Sequence, residues 1–192
     1  MKINKKLLAI LSLILVGASI SACSSGEDQS QQTQGSQEEA NQDRISFTTE
    51  TINKEEFSGK DLQNYDLTLI NIMATWCQPC VEEMPELEKV YNEYKDKKVN
   101  VVGYVIDTKK KGNIKEDALN SALDLQNKLN LTYPMLIPDD DNLNGIAKSI
   151  QAVPTTIFVD KEGRIVGEPI SGSNSSDGWK VTIDQRLKMI NE

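Results

Sequence analysis

Trp76-Cys77-Gln78-Pro79-Cys80 stands between an apolar run, Leu67 to Ala74, and an amphipathic run, Val81 to Tyr94. An apolar run of this length suits a buried strand, and the spacing of apolar residues in the second run predicts a helix. A strand, a turn and a helix in this order place two thiols at the start of the helix. Unpaired backbone N–H groups and the positive end of the helix dipole then stabilise a thiolate at Cys77.

Two thiols in this position predict thiol–disulfide exchange. A thiolate at Cys77 attacks a disulfide, and Cys80, one helical turn later, attacks the mixed disulfide and leaves a Cys77–Cys80 bridge. Two other interpretations stay open. Half of a zinc site would need two further ligands, and the chain has no His. A purely structural disulfide would close a very short loop, which stabilises a fold little.

The N-terminus has the pattern of an export signal. Lysines precede the apolar run Leu7 to Val16, which is shorter than the ~20 residues of a membrane-spanning helix. The sequence Ile20-Ser21-Ala22-Cys23 resembles the lipobox of bacterial lipoproteins, and the resemblance implies that Cys23 carries the lipid and becomes the mature N-terminus. An ordinary secretory signal with an incidental Cys23 is the alternative.

The sequence therefore predicts three parts. These are a lipoprotein signal peptide over residues 1–22, a lipidated Cys23 with a flexible tether over residues 23–44, and a thiol-containing globular domain over residues 45–192. The tether has Ala40 as its only aliphatic residue, so it cannot bury enough apolar surface to offset the entropy of ordering. Two acyl chains on Cys23 would hold the domain at the extracytoplasmic face of the cell membrane, away from cytosolic reductants.

The acidic composition excludes one class of binding partner. The formal net charge is −8, and an acidic chain repels the phosphate backbone of nucleic acids. We therefore expect no nucleic-acid partner, and the acidity is explained by its contribution to solubility. We expect the protein to be a monomer.

Strand and helix patterns alternate along the rest of the chain. The apolar periodicity predicts strands at 45–52, 67–74, 99–106, 133–137, 155–160 and 165–168, and helices at 81–94, 114–129, 143–150 and 179–190. Gly163 marks a hairpin turn between the last two strands. The alternation predicts an α/β sandwich around one mixed sheet.

Two motifs resemble a known family. The run Ala74-Thr-Trp-Cys-Gln-Pro-Cys-Val-Glu-Glu-Met-Pro85 is followed later in the chain by Ala152-Val-Pro-Thr-Thr-Ile-Phe-Val-Asp160. Together they resemble the thioredoxin fold, and more narrowly the TlpA and ResA-like group of membrane-tethered thiol-disulfide oxidoreductases. The resemblance implies a thioredoxin-like three-layer α/β/α sandwich, with an inserted strand-helix element of the TlpA type at 107–139.

The resemblance also assigns site residues. It implies that Cys77 is the nucleophile, Cys80 the resolving thiol and Pro154 a cis-proline beside the disulfide, with an ordinary trans turn proline as the alternative. An extended client segment would pair with the backbone of Val153. Trp76 would shield the disulfide or belong to the core. The predicted substrate-binding residues are Trp76, Gln78, Pro79, Val153 and Thr155.

A carboxylate is expected near the second thiol. Cytoplasmic thioredoxins have a buried Asp six residues before the first Cys, and this chain has Asn71 there. The TlpA and ResA-like group has an acidic residue three positions after the second Cys, which is Glu83 here. The resemblance implies that Glu83 accepts the Cys80 proton, directly or through a water. A solvated surface glutamate, like Glu82, is the alternative.

The predicted function is extracytoplasmic disulfide reduction by the cysteine pair, without a cofactor or metal. The resemblance implies an integral membrane thiol carrier as electron donor and an oxidised extracytoplasmic client, such as apocytochrome c, as acceptor. Two other functions stay open. A peroxiredoxin-like peroxidase would have Thr where this chain has Ala74, and a redox-silent binding lipoprotein would use the same fold without exchange.

Overall fold

A computed structural model of the protein describes residues 44–191. In chain order the helices and strands are β1 (Thr48–Glu50), β2 (Glu56–Ser58), α1 (Gly59–Leu62), β3 (Leu67–Met73), α2 (Gln78–Tyr94), β4 (Val99–Val105), β5 (Lys109–Lys110), β6 (Asn113–Ile114), α3 (Glu116–Leu129), β7 (Met135–Leu136), α4 (Ile146–Ser149), β8 (Thr155–Asp160), β9 (Ile170–Ser171) and α5 (Ser176–Asn191). The main sheet has the strand order β7-β4-β3-β8-β9. It is mixed, as the sequence predicts, because β4 is parallel to β3 whereas β8 is antiparallel to it.

Strands β3 and β4 form the centre of this sheet. Every residue of both strands is buried, which agrees with their mostly apolar sequences. The two strands pair from Leu67 opposite Val99 to Met73 opposite Val105. Since they are parallel, both strands end at the same edge of the sheet, and the chain continues from that edge toward Cys77.

The three long helices, α2, α3 and α5, cover one face of the sheet. Their apolar side chains recur at helical spacing and pack with the sheet in one buried cluster. The main helical contributors are Met84, Leu87, Val90, Leu119, Ala122, Trp179 and Ile183. Burying one leucine or isoleucine side chain contributes about 1.5–3 kcal/mol, so this layer fixes α2, the helix that carries the cysteines.

Shorter elements cover the opposite face. The β1–β2 hairpin and the one-turn helices α1 and α4 pack there against the second buried cluster, which includes Ile70, Ile72 and Tyr104 from the sheet. Phe47 and Phe57 stack within this layer, with ring centroids 6.0 Å apart. The sheet is therefore covered on both faces, as the predicted three-layer sandwich requires, although one outer layer contains little regular helix.

The predicted insert at 107–139 supplies a helix and an edge strand. After β4 the chain forms the β5–β6 hairpin, then α3, then β7, which pairs in parallel with β4. The Glu88 carboxylate on α2 accepts hydrogen bonds from the backbone N–H of Thr132 at 2.7 Å and from its hydroxyl at 2.6 Å. The insert is thereby tied to α2.

Several predicted boundaries differ from the structure. The first strand, predicted at 45–52, is confined to Thr48–Glu50, and β2 and α1 follow it before the second predicted strand. The strand predicted at 165–168 forms only in part. Ile165 makes an isolated antiparallel bridge with Val159 of β8, and regular pairing with β8 resumes at Ile170–Ser171. Gly167 has a φ of +71°, a left-handed conformation that interrupts an extended strand.

We expect Gly163→Ala to destabilise the fold more than Gly112→Ala. Both glycines have left-handed φ values, +80° and +76°, which costs another residue roughly 1–2 kcal/mol. A Cβ at Gly163 would lie 2.5 Å from the carbonyl oxygen of Ile45, whereas a Cβ at Gly112 meets nothing within 4 Å. Denaturant unfolding measures both losses. Equal losses in the two variants would show that the Ile45 contact contributes nothing.

Candidate active site

The two cysteines lie where the chain passes from β3 into α2. Cys77 is the N-cap residue of α2, with extended backbone, and Cys80 lies in the first turn. Their sulfur atoms form a disulfide. The backbone N–H of Cys80 donates to Cys77 Sγ at 3.3 Å. The N-terminus of α2 therefore directs a donor at Cys77, which stabilises negative charge on that sulfur.

Cys77 also contacts the segment that precedes β8. Its Sγ lies 3.5 Å from the carbonyl oxygen of Val153, and the Val153–Pro154 peptide bond is cis. Thr155 begins β8, and its hydroxyl donates to the carbonyl oxygen of Ala152 at 2.8 Å. The structure thus brings Val153, Pro154 and Thr155 to the same place as the disulfide.

Exposed side chains surround the cysteines. Trp76 is 72% exposed, so it is not part of the core, whereas Cys77 and Cys80 are 4% and 1% exposed. Gln78 and Pro79 are exposed as well, and the Gln78 amide donates to Glu82 Oε1 at 3.0 Å. Trp76 therefore presents its apolar surface to solvent directly beside Cys77.

Asp107, which follows β4, fixes the segment that leads to the cysteines. Its carboxylate accepts the backbone N–H of Thr75 at 3.1 Å and the Thr75 hydroxyl at 2.6 Å. Thr75 lies two residues before Cys77. Charge-assisted hydrogen bonds thus connect the segment that follows β3 to the segment that follows β4.

Glu83 is buried, with only 2% of its surface exposed. Its Oε1 accepts hydrogen bonds from the backbone N–H of Asn174 at 2.7 Å and from the indole N–H of Trp179 at 2.9 Å. Its Oε2 accepts one from the Asn71 amide at 3.0 Å. Glu83 is therefore not a solvated glutamate like Glu82, which is exposed.

Asn71 connects this carboxylate to the sheet. It lies on β3 opposite Thr156 on β8, and its amide nitrogen also donates to the Thr156 hydroxyl at 3.0 Å. The amide thus donates to Glu83 at the position where cytoplasmic thioredoxins have a carboxyl group.

Burial raises the pKa of Glu83 above its ordinary value, since a carboxylate is costly away from water. The hydrogen bonds from Asn174, Trp179 and Asn71 act in the opposite direction, because they stabilise the charged form. A raised pKa brings a carboxyl group closer to the neutral range in which it exchanges protons effectively.

Sequence reasoning missed four of these residues: Asp107, Thr156, Asn174 and Trp179. The only available signal was Trp179, because a tryptophan on the apolar face of a helix needs an acceptor for its N–H when it is buried. The sequence did not indicate which acceptor that would be.

The chain belongs to the AhpC/TSA family, whose model matches residues 40–167. It is similar to the thiol-disulfide oxidoreductase ResA of Halalkalibacterium halodurans, with 31% identity over 128 residues, which cover 66% of each chain. It is also similar to the thioredoxin-like protein YneN of Bacillus subtilis, with 34% identity over 119 residues, covering 62% of this chain and 64% of YneN. The chain spans just under two thirds of the length of these relatives. They confirm the resemblance to ResA-like proteins.

A solved structure shares the fold. The crystal structure of a thiol:disulfide interchange protein of the thioredoxin family from Chlorobium tepidum matches with a TM-score of 0.63 and 21% identity, covering 75% of this chain and 94% of that one. At this identity the similarity concerns the fold alone, and it confirms the predicted thioredoxin-like architecture.

Some predictions concern parts of the chain beyond these observations. The predicted signal peptide, Cys23 and the tether up to residue 43 lie outside the described residues. Within residues 44–191, no helix is both long enough and apolar enough to cross a membrane. The same part of the chain holds no cluster of three or more His, Cys, Asp or Glu side chains placed for a metal ion.

We expect the oxidised wild-type protein to lose stability relative to Glu83→Gln as the pH rises. A carboxyl group whose pKa is raised in the folded state binds its proton more tightly there than in the unfolded chain. It therefore stabilises the fold below its unfolded pKa, and this contribution is lost as the pH rises through the folded pKa.

Urea unfolding of both proteins between about pH 4 and pH 8 measures this difference. Glu82→Gln is the matched control, because it makes the same substitution at an exposed position of the same helix. A difference that is independent of pH for Glu83→Gln would contradict the raised pKa.

Proposed function

We propose that the protein reduces disulfides in client proteins by thiol–disulfide exchange at the extracytoplasmic face of the membrane. The observation that carries the proposal is the cysteine pair at the N-terminus of α2, where the Cys80 N–H faces Cys77 Sγ. Relatives named as a thiol-disulfide oxidoreductase and a thioredoxin-like protein support the same activity.

The reaction proceeds through one mixed disulfide. The Cys77 thiolate attacks a client sulfur, so that a Cys77–client bond forms, the client disulfide breaks and one client thiolate leaves. The Cys80 thiolate then attacks Cys77 Sγ, the Cys77–Cys80 bond forms, and the second client thiolate leaves and takes up a proton. Two electrons pass from the cysteine pair to the client, and the proposal includes no cofactor or metal.

Val153 and Trp76 are proposed to bind the client. The Val153 carbonyl oxygen is 3.5 Å from Cys77 Sγ, so an extended segment that pairs with this backbone brings its disulfide to the nucleophile. The exposed indole of Trp76 offers apolar contact beside it. Gln78, Pro79 and Thr155 complete the proposed binding surface.

Glu83 is proposed to accept the proton of Cys80 before the second attack. It follows Cys80 by three residues on α2, which places both on one face of the helix. A thiolate at Cys80, which is 1% exposed, is costly to form without a nearby base. The carboxylate of Glu83 can accept a proton, whereas the amide nitrogen of Asn71 already donates to Glu83 and Thr156.

The proposed extracytoplasmic location determines which electron donor and client the protein needs. Each turnover leaves the Cys77–Cys80 disulfide, which must be reduced again outside the reach of cytosolic thiols. We therefore propose an integral membrane thiol carrier as electron donor and an oxidised extracytoplasmic protein, such as apocytochrome c, as client. A lipid on Cys23 would hold the protein, as a monomer, close to both.

Cys80→Ala should accumulate a mixed disulfide with an oxidised peptide through Cys77, because the resolving thiol is gone. Cys77→Ser should form none, because Cys80 lies inside the first turn and is the more buried residue. Mass spectrometry of the reduced variants after mixing with the peptide identifies the bonded residue. Capture of the peptide through Cys80 in Cys77→Ser would contradict the assignment.

The same proteins test the reaction class. The reduced wild type should reduce insulin disulfides, and neither cysteine variant should turn over. Consumption of hydrogen peroxide without insulin reduction would favour a peroxidase instead. Oxidation of a dithiol peptide without insulin reduction would show that electrons flow in the opposite direction.

Cys23→Ser should release the protein from the membrane fraction while its domain stays folded. The lipid is proposed to be the attachment, and residue 23 lies outside the described domain. Cell fractionation and the thermal unfolding of the released protein measure the two properties. A variant that stays with the membrane would point to an uncleaved signal or to attachment through another protein.

A further inference from the structure

Trp179 is the buried aromatic residue of α5 that meets both the sheet and α2. It is 0% exposed, and its ring packs against Phe158 of β8 with ring centroids 6.1 Å apart. A phenylalanine could make this apolar contact. The indole N–H adds a hydrogen bond of 2.9 Å to Glu83 Oε1, so the polar atom of Trp179 contacts the carboxylate that follows Cys80 by three residues on α2.

The loop before α5 delivers a second donor to the same oxygen. The backbone N–H of Asn174 reaches Glu83 Oε1 at 2.7 Å, while the Asn174 side chain accepts the Ser175 N–H at 2.9 Å. A Cβ at Gly178 would lie 2.1 Å from Asn174 Oδ1. The absence of a side chain at Gly178 therefore leaves room for the Asn174 side chain in this loop.

We propose that Trp179 is a positioning residue for disulfide exchange: with the Asn174 N–H, its indole N–H holds Glu83 as an oriented carboxylate whose other oxygen is ready to accept the Cys80 proton. This inference rests on the proposed function and deepens it, because it states what prepares Glu83 for that step.

The count of hydrogen-bond sites separates the two oxygens of Glu83. Each carboxylate oxygen has two acceptor sites. Oε1 has two donors, Asn174 and Trp179, and is saturated. Oε2 has one donor within residues 44–191, the amide of Asn71. Oε2 thus keeps one acceptor site for the proton of Cys80.

The step balances in protons and electrons. Glu83 Oε2 takes the proton from Cys80 Sγ, and the resulting thiolate attacks Cys77 Sγ in the mixed disulfide. The Cys77–Cys80 bond forms as the Cys77–client bond breaks. The departing client thiolate is then protonated, which returns Glu83 to its charged form directly or through solvent.

The other titratable side chains around Glu83 are not suited to accept the Cys80 proton. Burial, and then the charges of Glu88 and Glu83, raise the pKa of Tyr133, so it stays neutral. The hydrogen bond from Lys89, followed by those from Ser176, lowers the pKa of Glu86 to about 2, so it stays charged. Asn71 on β3, Thr156 on β8 and Trp179 on α5 do not titrate. The cysteines of α2 are the reacting groups themselves.

Trp179→Phe tests the inference because it keeps an aromatic ring and removes the N–H. Stopped-flow measurement of client release from the mixed disulfide, as a function of pH, should show its midpoint about one pH unit higher than in wild type. The charged form of Glu83 loses one charge-assisted hydrogen bond, so it becomes available as a base only at higher pH.

Tyr94→Phe is the matched control. It removes another aromatic donor between α2 and α5, the Tyr94 hydroxyl that reaches Asp184 at 3.3 Å, and it should leave the midpoint unchanged. An equal change in both variants would mean that general loosening of the α2–α5 contact moves the profile, which would overturn the role of Trp179.

A direct titration of Glu83 makes the test independent of turnover. The side-chain carboxyl carbon, followed by NMR in the oxidised protein, should titrate at higher pH in Trp179→Phe. The same direction is expected in Gly178→Ala, whose Cβ would displace the Asn174 side chain that accepts the Ser175 N–H in this loop. An unchanged titration in the variants that fold overturns the inference on Trp179. A rate of client release in Glu83→Gln equal to that of the wild type would instead overturn the proposed role of Glu83. The titration distinguishes that failure from a failure of the inference on Trp179.

Discussion

The parallel pairing of β3 with β4 is the constraint on which the site depends. It is buried on both faces, and its register directs Leu69 and Met73 toward the long helices and Ile70 and Ile72 toward the other layer. A slip by one residue would exchange these faces. Asn71 would then point away from Glu83, and the hydrogen bonds from Thr75 to the Asp107 carboxylate would be lost. The chemistry at Cys77 is thus positioned by backbone hydrogen bonds several residues away.

The burial of Glu83 shows how the fold accommodates a carboxylate near its core. Removing such a group from water is costly, and the cost is offset only if hydrogen bonds replace the lost solvent. Here the donors come from three separate parts of the chain, β3, the loop before α5 and α5 itself. No single element could supply them, so the carboxylate is accommodated only after the sheet and both helices have assembled.

Local patterns were sufficient to predict the centre of the fold and the cysteine pair. The apolar run at 67–74 and the helix after it are determined by residues close in sequence, and the three-layer architecture followed from the family resemblance. The environment of Glu83 was not predictable in this way, since Trp179 lies 96 residues further along the chain. Asp107 begins the predicted insert, and no local pattern indicated its hydrogen bond with Thr75. The helix pattern at 143–150 failed locally, because Asn142, Leu143 and Asn144 have left-handed φ values and delay the helix to Ile146.

The chain has two tryptophans, and the fold places them in opposite surroundings near the same redox centre. Trp76 is 72% exposed next to Cys77, while Trp179 is 0% exposed and donates a hydrogen bond to Glu83. Indole emission depends on solvent polarity, and a neighbouring disulfide quenches it. The protein therefore contains two intrinsic fluorophores with separable spectra: the red-shifted emission of Trp76 can follow the opening of the disulfide, and the blue-shifted emission of Trp179 can follow the protonation of the buried carboxyl group.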